Sequence, residues 1–281
     1  MLGHRLYLDL KRDHDVAVTV RADGESCAQN GVFDPADVFS GVDAVETDRL
    51  IEVVASFQPN AIVNAVGVIK QREDAKESIL NIEVNALLPH RLALVAKAAG
   101  ARLIHFSTDC VFSGRQGMYS ETDTPDANDL YGRTKLLGEV DERHALTLRS
   151  SLIGHELERK ASLLEWFLGQ QKGSVRGFNN AIFSGFTTIE MARIVKMLLE
   201  QHPDAHGVWH VSSEPIDKCR LLRTIKRVYG VETEIIPDDE LKIDRSLDST
   251  RFRRCFNYRP PSWDSMVAEM HEVYESQSEN R

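Results

Sequence analysis

AIVNAVG at residues 61–67, NALLPHRLALVAKAAG at 85–100 and RLIHFST at 102–108 are the segments that decide the fold. The first and third are apolar runs of buried-strand length, and the breaker pair Pro59-Asn60 precedes the first. The middle segment sets Leu88, Leu92 and Val95 on one side of a helix and stops at Gly100, a residue suited to the left-handed C-terminal cap. Strand, helix and strand in that order predict a parallel sheet with helices packed on it.

The alternation extends in both directions. At the start, MLGHRLYLDLKRDHDVAVTVRA reads as a short helix holding Leu6, Tyr7, Leu8 and Leu10, then a strand over Val16–Val20. Downstream, LTLRSSLIG and GVWHVSS read as strands. SLLEWFLGQQKG, TTIEMARIVKMLLEQ and KCRLLRTIKRVYG read as helices, and a final helix begins near PPSWDSMVAEM. Thr187 and Glu190 have the spacing of a capping box. YSETDTPDANDL is a polar loop, and Gly230 caps the helix before it. The rhythm loosens near residue 152. A dinucleotide-binding region over 1–152 is therefore expected, with a smaller region over 153–281 partly interleaved with it. The predicted class is α/β, a Rossmann-like, doubly wound parallel sheet.

A net charge of −9 over 281 residues argues against a nucleic-acid binder. No apolar run approaches the roughly 18–20 residues of a membrane span. The first turn carries His4 and Arg5 instead of a signal-peptide core. Cys27, Cys110, Cys219 and Cys255 are scattered without a CxxC pair, which suggests neither a metal site nor a disulfide framework. These features together predict a cytoplasmic protein that uses no metal and binds no membrane.

The chemistry concentrates in FSTDCVFSG (106–114) and YGRTKLLGE (131–139). Tyr131 and Lys135 are four apart, hence on one helical face. An ammonium beside a phenol favours the phenolate and brings a group of ordinary pKa about 10 towards neutrality. Thr108 ends a predicted buried strand, which puts its hydroxyl at the carboxyl edge where open α/β sheets bind ligands. Alone, YxxxK is a common accident and Thr108 an ordinary strand-end hydroxyl. In this order, after alternating strands, they form a candidate proton-transfer site.

With those motifs in place the chain resembles the extended short-chain dehydrogenase/reductases, and more closely their dTDP-4-dehydrorhamnose reductase branch. The resemblance rests on STDCVFSG, YGRTKLLGE, RSSLIG and NNAIFSGFTT, and it covers nearly the whole length. It implies a catalytic Thr108, Tyr131 and Lys135, with reduced nicotinamide delivering hydride to a 4-keto sugar and Lys135 also holding the nicotinamide ribose. It further implies cofactor contacts from Leu2 and Gly3, from the turn Asn64, Ala65, Val66 and Gly67, and from Asn85, whose alternative is a helix cap or surface amide. Thr108, Asp109, Cys110, Arg176 and Asn179 are the implied substrate contacts, with plain loop polarity the alternative for Arg176 and Asn179. Cys110 replaces a tyrosine of many relatives. RFRRCF (251–256) either meets a pyrophosphate or is a solvated face.

Arg21, near the end of the second family strand, suits a 2′-phosphate, so NADP(H) is expected, while Asp23 keeps NAD(H) open. The expected function is NADPH-dependent reduction of a nucleotide-linked 4-keto-6-deoxy sugar, and a homodimer is compatible with it. Two alternatives stand beside it: an epimerase or dehydratase on the same scaffold, and a non-catalytic subunit like the regulatory subunit of methionine adenosyltransferase. MLGH matches only the tail of the family's GxxGxxG phosphate loop, with Gly3 as its third glycine. A central first strand buries about four apolar side chains, worth about 6–12 kcal/mol, comparable with a domain's whole stability. The expectation is that Met1 is an internal methionine of that loop and that a preceding strand exists.

Overall fold

The computed structural model describes residues 1–22, 31–70, 76–157, 160–170 and 173–279; Asp23 and Cys27 lie outside them. The chain runs α1 (Leu2–Leu10), β1 (Val18–Thr19), β2 (Val38–Phe39), α2 (Thr47–Phe57), β3 (Ala61–Asn64) and α3 (Ser78–Asn81). A π-helical turn, Ile82–Leu87, leads into α4 (Leu88–Ala98), followed by β4 (Arg102–Thr108), α5 (Leu130–Leu137) and β5 (Ala145–Ser150). Next come β6 (Leu152–Ile153), α6 (Leu163–Leu168), β7 (Ser174–Phe178), β8 (Ala181–Phe183), β9 (Phe186–Thr187), α7 (Thr188–Gln201) and β10 (Gly207–His210). The chain closes with β11 (Ile216–Asp217), α8 (Lys218–Tyr229), β12 (Glu234–Asp238), β13 (Ile243–Asp244), α9 (Thr250–Cys255) and α10 (Trp263–Glu279).

Two compact units emerge. One comprises Met1–Ser107, Asp129–Leu148 and Ala192–Val208, the other Thr108–Asn128, Arg149–Met191 and Trp209–Arg281. The first unit is built on the sheet β10-β5-β4-β3, in which β3 and β4 run parallel from Ala61↔Arg102 to Asn64↔His105. Of the helix face predicted from Leu88, Leu92 and Val95, the two leucines join Ala93, Ala96, Leu103 and Ala145 in one buried cluster, whereas Val95 is half-buried outside it. Truncating one such leucine to alanine costs about 2–5 kcal/mol. Arg102 ties down the end of α7: its guanidinium donates to the carbonyls of Leu198 at 2.9 Å, His202 at 3.0 Å and Ala205 at 2.5 Å.

The opening helix forms as read, burying Leu2, Leu6, Tyr7 and Leu10. The strand after it is shorter than its five apolar residues predict. Only Val18 and Thr19 enter a ladder, parallel to Val38 and Phe39. Among the described residues no strand pairs with both β1 and β3, so the β1–β2 pair stands apart from the four-stranded sheet. One further reading changes. Ser78–Ala98 is continuous enough, and apolar enough, to meet the length and composition of a membrane-crossing helix, although more than half of its apolar window is buried inside the fold. The polar Asn81 and Asn85 and the π-helical turn interrupt its pattern on the page without interrupting the helix.

The second unit uses short ladders: β6–β9, β7–β12, and β8 between β11 and β13. Of the predicted capping box, one half forms: the Glu190 N–H reaches Thr187 Oγ1 at 3.3 Å, whereas Glu190 Oε1 accepts from Tyr258 at 2.7 Å. A buried polar group sits among aromatic rings. Arg149 Nη1 lies 3.1 Å from His210 Nε2, His210 Nδ1 lies 2.8 Å from the Tyr119 carbonyl, and Phe112 stacks on Tyr119 at 4.2 Å. Arginine can only donate, so Nε2 accepts and the proton resides on Nδ1.

Burial, reinforced by the Arg149 charge, pushes the His210 pKa down from 6.5 to about 4. Between those values the unfolded chain binds the extra proton. The stability this neutral ring supports is therefore complete above pH 6.5 and lost as pH falls towards 4, on the order of 3 kcal/mol. His210→Asn keeps one donor and one acceptor but does not titrate. Urea unfolding at pH 7 and pH 4.5 should show a smaller acid loss in the variant than in the parent. Equal losses would show that another group governs that range.

Candidate active site

Helix α5 starts where Asp129 caps it: Asp129 Oδ1 accepts the Gly132 N–H at 2.8 Å, and Oδ2 takes Lys70 Nζ at 2.7 Å. Lys70 Nζ lies over the Tyr131 ring, 5.5 Å from its centre. One turn on, Lys135 is only 5% exposed and donates to the Phe106 carbonyl at 2.5 Å, its one hydrogen bond among the described residues. Burial pushes its pKa down to about 8, against the pull of the Glu139 carboxylate. Glu139 is held in turn by Ser107 Oγ at 2.6 Å. The predicted helical pair thus exists as a half-buried phenol and a sunken, mainly protonated ammonium.

The same unit gathers the cofactor candidates at the end of β3. Asn64 accepts the Val66 N–H at 3.1 Å and directs Nδ2 to His105 Nδ1, also at 3.1 Å. Asn85 is neither a cap nor a surface amide. It is fully buried in the π-helical turn, where its Oδ1 accepts the Val68 N–H and its Nδ2 donates to the Val68 carbonyl, both at 2.9 Å. Close approach explains Gly138: a Cβ there would lie 1.9 Å from the Asn85 carbonyl oxygen. Gly67 is looser, its Cβ position 3.5 Å from Asn85 Oδ1. Ala65 and Val66 are exposed beyond the strand. Gly3 is exposed too, and a Cβ on it would meet Ala65 Cβ at an ordinary 3.7 Å. No protein neighbour demands glycine at position 3. Leu2 is buried beside it, and Arg21 is exposed just past β1.

In the second unit, the chain leaves β4 through a turn that opens at Thr108. Thr108 Oγ1 accepts the Cys110 N–H at 3.1 Å and donates to Asp109 Oδ1 at 3.1 Å, so its proton is directed at a carboxylate. Arg176 is exposed on β7 and engages the Asp238 and Glu240 carboxylates, while Asn179 donates to Asp239 at 2.9 Å. Both implied substrate contacts are thus already satisfied by an acidic stretch some sixty positions away. RFRRCF is occupied likewise: Arg251 lies over Trp209 at 3.7 Å and Arg253 pairs with Glu214 at 2.6 Å.

Four residues of interest escaped the sequence reading. Asp129 and Lys70 frame Tyr131. His105 is buried with Nε2 unpartnered among the described residues, and burial, aided by Lys135 and His90, holds its pKa well below the usual range. Lys218 opens α8 over the Phe183 ring. None belongs to a motif, and each acquires its neighbours through the fold. Among the described residues no group of three or more His, Cys, Asp or Glu could hold a metal ion.

The profile of the RmlD substrate binding domain family matches residues 1–276. Methionine adenosyltransferase 2 subunit beta of Danio rerio is 29% identical over 85% of this chain and 75% of its own length. dTDP-4-dehydrorhamnose reductase of Aggregatibacter actinomycetemcomitans is 24% identical over 80% of this chain and 85% of its own. The crystal structure of dTDP-4-dehydrorhamnose reductase from Bacillus anthracis in complex with NADP superposes with a TM-score of 0.73 at 20% identity, covering 91% of this chain and 97% of that one.

Proposed function

The chain belongs to the RmlD substrate binding domain family, and we propose that it is an NADPH-dependent reductase of a nucleotide-linked 4-keto-6-deoxy sugar. One observation carries the reading: Lys135, sunk into the first unit and anchored on Phe106, stands one helical turn from Tyr131. An ammonium buried there without a paired carboxylate is costly, and a phenol whose proton must leave gives it a purpose.

The residues present fit a nicotinamide dinucleotide. Gly3, Ala65 and Val66 are exposed, and their backbone would receive the diphosphate part, with Leu2 and Asn64–Gly67 shaping that edge. Lys135 retains two N–H groups beyond its bond to Phe106 for ribose hydroxyls. When bound, NADPH supplies the hydride. Tyr131 gives its proton to the substrate carbonyl oxygen as that oxygen gains charge, and Lys135 stabilises the phenolate left behind. The family resemblance would add Thr108, whose hydroxyl donates to Asp109.

The direct test mixes the protein with NADPH and a panel of 4-keto nucleotide sugars and follows loss of reduced-nicotinamide absorbance. Consumption dependent on the sugar is the expected result. The similarity to a methionine adenosyltransferase subunit supports a second reading, a non-catalytic binding subunit. Binding of NADPH with no consumption across the panel would select it.

Cofactor choice has its own test at Arg21. If its guanidinium meets the 2′-phosphate, Arg21→Ala should weaken NADPH about ten- to a hundredfold and leave NADH nearly unchanged. Calorimetric titration with both nucleotides measures this, and equal losses would make Arg21 a general surface charge.

A further inference from the structure

Within the first unit, β4 carries a histidine in its interior. His105 is 1% exposed and stands opposite Asn64 in the parallel register of β3 and β4. Alternation along β4 puts His105 and Ser107 on one face of the sheet. Ser107 Oγ donates to Glu139 at 2.6 Å, and Lys135, four residues before Glu139, donates to the Phe106 carbonyl at 2.5 Å. The face that holds His105 is therefore the one turned towards α5. Hydrogen bonding determines which ring nitrogen carries the proton. Asn64 Oδ1 accepts the Val66 N–H at 3.1 Å, which leaves Nδ2 to meet His105 Nδ1, also at 3.1 Å. An amide nitrogen only donates, so Nδ1 accepts and the ring proton resides on Nε2. The opposite tautomer would set two donors face to face. Nε2 is buried and finds no acceptor among the described residues. A buried donor left unmet is costly, and here the Asn64 amide enforces it. The titratable groups on the elements packed against this face are Tyr131, Lys135 and Glu139 on and just beyond α5 and His90 on α4. Burial, then Lys135 and His90, holds the His105 pKa well below the usual 6.5, so the ring is neutral.

Resting on the reductase reading of Lys135, we propose that Asn64 locks His105 as a donor at Nε2 and thereby makes it a positioning residue, which denies the Lys135 ammonium an acceptor inside the sheet. A free imidazole lone pair on this face would take one N–H of Lys135 and draw the ammonium inwards. With the proton on Nε2 that bond cannot form. Lys135 then keeps only its anchor on Phe106, and its two remaining N–H groups stay directed to ligand and phenolate. The same amide that shapes the Asn64–Gly67 edge thus sets the hydrogen-bonding freedom of the lysine.

The test is NMR of the full chain without cofactor. Labelled histidine ¹⁵N reports the His105 tautomer and labelled lysine ¹³Cε reports the titration of Lys135, with His105→Leu and Lys135→Gln assigning the two signals. In the parent, His105 should be the Nε2–H form at pH 7 and stay neutral as pH falls through 6.5, and Lys135 should titrate near pH 8. Asn64→Leu removes the donor that holds the tautomer and adds no charge. The proton should move to Nδ1, and Lys135, gaining an acceptor at Nε2, should hold its own proton about tenfold more tightly. In the His105→Leu background the same change at Asn64 should leave Lys135 unmoved, which separates the ring's effect from any loosening of the turn. Thermal melting establishes that each variant is folded. An Nδ1–H or protonated His105 in the parent overturns the lock without recourse to a variant. So does a Lys135 titration that ignores Asn64→Leu, or that shifts equally with and without the ring. Any of these leaves the reductase reading standing. A parent that shows the lock but consumes no NADPH with the sugar panel overturns the reductase reading, and the purpose assigned to the lock falls with it.

Discussion

Replacing Tyr131 by Phe is expected to lower kcat by about 10²–10⁴-fold while NADPH affinity stays within a few fold. The change deletes one oxygen. The ring remains under Lys70 and within α5, whose cap at Asp129 does not involve the phenol. Proton delivery to the sugar oxygen disappears, and water must supply it. Steady-state kinetics with a 4-keto nucleotide sugar gives kcat, and fluorescence titration gives the cofactor affinity. Retention of more than about a tenth of kcat would exclude Tyr131 as proton donor, since a positioned acid contributes more than that. A parallel collapse of cofactor affinity would instead assign the hydroxyl a binding role.

The second large effect is one of stability. Asn85→Ala is expected to cost about 2–6 kcal/mol, because it strands the buried Val68 N–H and carbonyl together, each unmet group costing about 1–3 kcal/mol. Val68 is 1% exposed, so water cannot easily replace the amide. Asn85 clamps the residue that follows the Asn64–Gly67 turn, so the loss should also loosen the surface assigned to the cofactor. Urea unfolding measures the first consequence and NADPH titration the second. A stability change below about 0.5 kcal/mol, the scale of an ordinary surface substitution, would mean the clamp is not needed. Asn85→Asp keeps the acceptor for the Val68 N–H and removes the donor to its carbonyl. It should fall between the parent and alanine if two separate bonds are at stake.

What could be read from residues alone were patterns whose physics is local. Helix and strand periods set out α4 and β4 from apolar spacing, and Gly230 marked the end of α8 because a left-handed cap favours glycine, as its φ of 66° confirms. The spacing of Tyr131 and Lys135 determined that they share a helical face, since four residues make about one turn. Everything that depended on partners distant in sequence waited for the fold. The apolar run Val16–Val20 could not say that just two of its residues would find a neighbouring strand. Arg176 and Asn179 read as substrate contacts or plain loop polarity because the acids that satisfy them, Asp238, Asp239 and Glu240, lie some sixty residues further along the chain. Asn85 was ambiguous because an amide's role is set by the groups it meets, here a backbone segment seventeen residues earlier in the chain. Lys218 went unremarked within KCRLLRTIKRVYG, and tertiary packing alone placed its ammonium over the Phe183 ring. Periodicity reports how a segment divides between core and solvent, whereas hydrogen-bond partners and the electric field at a charge are properties of atoms that only folding brings together.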